Sequence, residues 1–164
     1  MQPRIDNPAM ALPGAMQGLH KLNGAAQRSG IPATTHYLIH LRASQINGCA
    51  VCVDMHSREL EHAGESAERI NTVAVWRETP YFTEAERAAL ALTEAATRMA
   101  DQPDPVPDEV WDEAARHYDE PQLAALVLSI ASINAWNRIN ASTRQITGDW
   151  VEQLIAKQPA GQAA

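Results

Sequence analysis

The sequence predicts an all-α protein, and three observations carry that prediction. Alanine is abundant, runs of β-branched residues are short, and proline or glycine punctuates the chain between stretches with helical spacing. With 164 residues, 45% of them hydrophobic and 20% charged, the composition fits one globular domain over residues 1–164 around a single core.

Each helix has its own start and stop signals. A first helix lies within Leu12–Arg28, ended by Gly30 and Pro32. A second runs from about Ala33 to Gln45 with Tyr37, Leu38, Leu41 and Ala43 as apolar positions, and Asn47-Gly48 breaks it. A third begins at Cys49 and Cys52 and reaches Ala63, with Gly64 placed to terminate it. Ser66 caps a fourth that extends to about Trp76. Thr83 and Glu86 match a capping box, in which side chains satisfy the free N–H groups of the first turn, and so open a helix from Glu84 to about Met99.

The proline- and acid-rich stretch DQPDPVPDE reads as a connection rather than a domain boundary. Asp108 then caps a short helix carrying Val110 and Trp111, and Pro121 suits the first position of a long one. The middle of that long helix is apolar on several faces, which predicts a buried central element. A short final helix follows around Asp149–Lys157, and no internal repeat suggests a solenoid. The expected architecture is a helical bundle.

Net charge is −7 with a pI near 5.3, and no block of Lys or Arg is present. Binding to nucleic acid through counterion release needs clustered cations, so that class is set aside. No apolar run approaches a membrane span, and the start, MQPRIDNPAMALPG, lacks a cationic segment leading into a long apolar one. The expectation is a soluble, cytoplasmic protein.

The chemistry concentrates in INGCAVCVDMHSREL, which holds both cysteines of the chain, Cys49 and Cys52, followed by His56. At about 100° per residue the three fall within roughly a 60° arc of one helix. Cys52 and His56 are one turn apart, within reach of an imidazole–thiol hydrogen bond. The helix N-terminus stabilises a thiolate, lowering its pKa from about 8.5 toward neutrality, and a neighbouring imidazole adds to the effect. Three readings meet at this spacing. A structural zinc site would need a fourth ligand from elsewhere in the chain. Two buried cysteines can also act simply as small hydrophobes. The third reading is redox thiol chemistry, favoured because the whole cysteine content sits in the motif. A thioredoxin-like enzyme would need a βαβ context that the sequence does not supply.

The segments LRASQINGCAVCVDMHSREL, GESAERI and VWRETPYFTEAERAALALTEAATR resemble the AhpD-like alkylhydroperoxidases of the carboxymuconolactone decarboxylase superfamily. The match covers about Leu38 to Arg98, a core region of about residues 33–100, and the later INAWNRIN is similar as well. The resemblance implies a peroxidatic Cys52, a resolving Cys49 and His56 in a proton relay. It also implies a hydroperoxide substrate and an external dithiol, of thioredoxin or lipoyl type, as reductant. A homotrimer or homohexamer is implied, without a metal or organic cofactor. Four tryptophans, more than one core of this size easily encloses, agree with an oligomer.

Two positions depart from the best-known members. Their relay glutamate, twelve residues before the first cysteine, is Tyr37 here, and a histidine immediately before their second cysteine is Val51. A tyrosine with a pKa near 10 orients or donates more readily than it accepts a proton. His40, three residues on and on roughly the same face, is the candidate to take over the relay, with Tyr37 beside it. Each also reads as structural: Tyr37 as core with its hydroxyl satisfied, His40 as a partly exposed histidine. His20, His36, His62 and His117 lack partners at catalytic spacing and read as solvated or capping residues. The tryptophans read as core or interface, and Asn137-Arg138 as support for the site or for a subunit contact. Alternative functions are a lactone decarboxylase-like activity on a small organic acid, and a redox-sensing oligomer that does not turn over.

Overall fold

The computed structural model describes residues 1–157, and their regular structure is entirely helical. The helices are α1 (Pro8–Ala11), α2 (Ala15–Gln27), α3 (Ala33–Asn47), α4 (Ala50–His62), α5 (Ala67–Thr72), α6 (Glu84–Thr97), α7 (Asp108–His117), α8 (Glu120–Thr143) and α9 (Asp149–Ile155). A 3-10 helix, Val73–Glu78, follows α5. The fold is all-α, as the sequence predicts.

α3 is the hub. It packs against α4, α6 and α8, while α8 also contacts α2 and α7. One apolar cluster joins Ile39 of α3 to Leu92 of α6 and to Leu126 and Ile130 of α8. A second joins Leu38 and Leu41 to Leu60, Val73, Trp76, Phe82 and Leu90. A third surrounds the cysteines with Ala43, Val51, Ile133, Val151 and Ile155. Consecutive residues Leu38 and Ile39 therefore enter different clusters, so α3 is buried on nearly every side.

The capping box at Thr83 and Glu86 forms as predicted. Four local details differ from expectation. The helix begun at Ser66 stops at Thr72 and tightens to 3-10 geometry, with Val75 outside helical dihedrals (φ −124°, ψ 29°). A three-residue turn eclipses positions i and i+3, which lets Val73 and Trp76 enter the same cluster. Pro107, not Asp108, is the N-cap of α7; Asp108 and Glu109 lie in the first turn, where their charge meets the positive end of the helix dipole. Asp119 and Gln122 form a second capping box, so α8 starts at Glu120 and Pro121 is one residue further in. The short α1, capped by Asn7, is too brief to show a period.

Glu94 ties three arginines to the core. Its carboxylate accepts from Arg42 Nε at 2.7 Å, Arg77 Nη1 at 2.6 Å and Trp76 Nε1 at 3.0 Å, with Arg98 Nη1 at 3.4 Å. The Arg77 guanidinium lies 4.1 Å from the Trp76 ring centroid. Burial pushes the Glu94 carboxyl up, but hydrogen bonds from Arg77, Trp76 and Arg42 and the charge of Arg42 outweigh it and hold the pKa below its ordinary 4.5. A depressed carboxylate stabilises the fold fully above its unfolded pKa and loses that contribution as pH falls through the folded one. Glu94→Gln should therefore cost about 2–4 kcal/mol at pH 7. The gap to wild type should narrow toward pH 3. Urea denaturation at both pH values measures it, and an equal gap at both would contradict the charge argument.

Candidate active site

The turn that carries the cysteines is fixed from α8. Asn47, the last residue of α3, donates through Nδ2 to Asn134 Oδ1 at 3.0 Å and to Asn137 Oδ1 at 2.9 Å. Asn137 Nδ2 in turn donates to Ser44 Oγ at 2.9 Å. Gly48 then turns the chain in the left-handed region at φ 66°, where a side chain would be strained. The Cys49 N–H reaches back to the Ser44 carbonyl at 3.1 Å. Cys49 becomes the N-cap of α4 and Cys52 lies in its first turn.

Cys49 and Cys52 are joined as a disulfide, with Cα atoms 5.4 Å apart. Both are buried, and they border different spaces. Cys52 lines a cavity of about 510 Å³ between α2, α3, α4, α8 and α9. Cys49 lines a second cavity of about 460 Å³, with Gly48, Ala50 and Arg144. Asn140 Nδ2 donates to Cys52 Sγ at 3.4 Å.

The inner end of the larger cavity is polar. His56, one turn after Cys52, hydrogen-bonds through Nδ1 to Glu59 Oε2 at 2.6 Å, and both side chains are buried. The His40 ring packs against the His56 ring with centroids 4.8 Å apart. His40 Nε2 meets Ser129 Oγ at 3.0 Å, and the same hydroxyl meets His36 Nδ1 at 3.1 Å. Desolvation, then the neighbouring His56 and His36, press the His40 pKa well below 6.5, and desolvation lowers that of His36. Burial, with the charge of Glu59 added, pushes the Tyr37 phenol up to about 12. The histidine His40 and the tyrosine are thus neutral near pH 7.

The outer walls are mostly apolar, with Met10, Met16, Met55, Ile133, Trp136 and Trp150, and carry a few polar side chains such as Gln153 and Lys157. His20 also lines this space, its ring 5.9 Å from that of Trp136. Tyr37, His40, Cys52 and His56 therefore face one cavity, with Cys49 bonded behind Cys52. Among the described residues no group of three or more His, Cys, Asp and Glu is placed to hold a metal ion. No described helix is long and apolar enough to cross a membrane.

Several residues escaped the sequence. Glu59 supplies a carboxylate to His56 from the same helix, at i+3, a spacing present in HSRE. Ser129 and Asn140 come from α8, about ninety residues away, and nothing local marks them. His36 is corrected: it is buried at 1% exposure and bonded to Ser129 rather than solvated or capping. His20 is exposed, as expected of a solvated residue, and also lines the cavity. His117 remains at a helix end, paired with Glu113. Trp76 is core, Trp136 and Trp150 border the cavity, and Asn137 supports the site.

The model of the carboxymuconolactone decarboxylase family matches residues 13–95. The uncharacterized protein YdfG of Bacillus subtilis (strain 168) is 40% identical over 128 residues, 78% of this chain and 86% of that protein. The uncharacterized protein YnjA of Escherichia coli (strain K12) is 31% identical over 116 residues, 71% of this chain and 62% of that protein. The crystal structure of ATU0492 from Agrobacterium tumefaciens superposes with a TM-score of 0.83 at 39% identity, covering 90% of this chain and 99% of that one. It is described as a protein of unknown function and a candidate antioxidant-defence protein, AhpD. With its helical fold and its paired cysteines, the chain belongs to the carboxymuconolactone decarboxylase family as an AhpD-like member.

Proposed function

We propose that the protein is a thiol-dependent hydroperoxidase that cycles the Cys49–Cys52 pair. One observation carries the reading: Cys52 sits in the wall of a cavity whose inner end holds a His56–Glu59 pair, with Cys49 already within bonding distance behind it. In the reduced enzyme Cys52 passes its proton to His56. The Glu59 carboxylate holds His56 by Nδ1, leaves Nε2 as the accepting atom and balances the imidazolium that forms. Asn140 and the first turn of α4 stabilise the thiolate.

The thiolate attacks the distal oxygen of the peroxide and the O–O bond breaks. The alkoxide leaves with the bonding electrons and takes the proton from His56, and Cys52 becomes a sulfenic acid. The Cys49 thiol displaces hydroxide from it, water departs, and the disulfide seen here is formed. An external dithiol reduces it by exchange, entering from the cavity on the Cys49 side. Methionine and tryptophan walls and a volume of about 510 Å³ fit an organic hydroperoxide with an apolar group better than hydrogen peroxide itself. Val127 and Leu128, exposed at 40% and 39% in the middle of α8, give an apolar face that suits association with further copies of the chain.

Two measurements test the cycle. Cys52→Ser should abolish peroxide consumption with a dithiol donor. Cys49→Ser should leave a sulfenic acid on Cys52 that dimedone traps, and mass spectrometry finding the label mainly on Cys49 in the converse variant would reverse the assignment. Glu59→Gln keeps the shape of the His56 contact but removes its charge. It should slow oxidation of Cys52 by about 10- to 100-fold in stopped-flow experiments. An unchanged rate would remove Glu59 from the relay.

A further inference from the structure

The relay that the proposed reaction requires uses His56 and Glu59, and leaves a second buried polar chain unexplained: His36, Ser129 and His40. The two histidines are one turn apart on α3, and both spend a ring nitrogen on one hydroxyl of α8. Ser129 has one proton and two lone pairs, and among the described residues its hydroxyl meets only these two rings, so its proton is used only if it donates to one neutral imidazole and accepts from the other.

His36 decides which. Its Nε2 is buried and has no hydrogen-bond partner among the described residues. If Ser129 donated to His36 Nδ1, the His36 proton would sit on Nε2 as an N–H with nothing to accept it. Orphaned buried donors are the rarer defect, and an unfilled acceptor is the milder one. His36 therefore carries its proton on Nδ1 and donates to Ser129, and Ser129 donates to His40 Nε2. The His40 proton is then on Nδ1, the only polar atom that this residue has left for the cavity it lines. Its burial and the neighbouring rings keep it from gaining a second proton.

We propose that Ser129 is a positioning residue that fixes the tautomer of His40, so that His40 offers a neutral Nδ1–H to the leaving oxygen of the peroxide. This rests on the hydroperoxidase reading for its purpose but not for its geometry. His40 keeps its proton throughout. It hydrogen-bonds the oxygen on which negative charge develops as the O–O bond breaks, while the proton that completes the alcohol is the one His56 took from Cys52. The division between a neutral donor and a charged carrier follows from their partners, a hydroxyl for one ring and a carboxylate for the other.

Nitrogen-15 spectra of histidine-labelled protein read the tautomer directly, with the signals assigned through His40→Gln. The expected wild-type state is Nδ1–H with a bare Nε2, and Ser129→Ala should shift it toward a mixture. Finding Nε2–H in the wild type would overturn the proposal, whether or not the protein consumes peroxide. Kinetics then test the role. tert-Butyl hydroperoxide releases a strongly basic alkoxide, whereas peracetic acid releases acetate, which needs no such donor. Ser129→Ala should slow Cys52 oxidation by the first about tenfold more than by the second. Ser129→Thr, which keeps the hydroxyl, should restore the ratio. Equal slowing with both oxidants would reduce Ser129 to a packing residue. Absence of peroxide turnover in the wild type would instead defeat the hydroperoxidase reading and leave the tautomer result standing.

Discussion

The hydrogen bonds between Asn47 and the pair Asn134 and Asn137 set the position of everything else in the site. Amide side chains inside a helical core cost free energy unless they are paired, and a typical pairing contributes about 0.5–1.5 kcal/mol while an unpaired group costs more. Asn137 is fully buried, and its partners lie at the C-terminal end of α3. That end can therefore stop in only one place. Gly48 must reverse the chain there, and Cys49 must open α4 against the side of α8 that carries Asn140. The position of the Cys49–Cys52 pair thus depends on amide pairing that touches neither sulfur.

α8 serves two needs that usually conflict. Leu126, Ile130 and Ile133 close the apolar core, yet Ser129, Asn134, Asn137 and Asn140 carry hydrogen bonds into its interior. The compromise works because these four side chains meet hydrogen-bonding atoms of α3, α4 or α6, while the buried Ser132 hydroxyl has no partner among the described residues. It also leaves the helix without a clean polar face, which is why its sequence reads as a buried central element.

How much of this was legible in the chain follows from the range of each interaction. Helix ends are local: the Thr83–Glu86 capping box, the Asn47-Gly48 break and the Ser66 cap were all readable. The motif Cys49, Cys52 and His56 was readable because one helix turn brings its members together. The boundary at Thr72 was not, since the change to 3-10 geometry answers to the cluster that Val73 and Trp76 enter. Ser129 and His36 were invisible because their bond spans 93 residues. Glu59 is a different case. It is local and legible at i+3 from His56, whereas the family pattern puts the carboxylate at the position of Tyr37, where none stands.

That displacement of the carboxylate has a physical consequence for the inner end of the cavity. A glutamate at position 37 would bring a charge to α3, beside His40, and draw that imidazole toward protonation. With the charge on α4 instead, Glu59 acts on His56 through a 2.6 Å hydrogen bond, while α3 contributes only groups that are neutral near pH 7. The phenol of Tyr37, pushed up by burial and by Glu59, keeps its proton as firmly as His40 refuses a second one. In the proposed cycle α4 then carries the mobile proton at His56, and the adjoining α3 carries groups that keep theirs. The Cys52 thiolate has His56 as the acceptor for its proton and the His40 N–H as a donor to the oxygen it expels in that cycle, so the two helices carry separate halves of the chemistry.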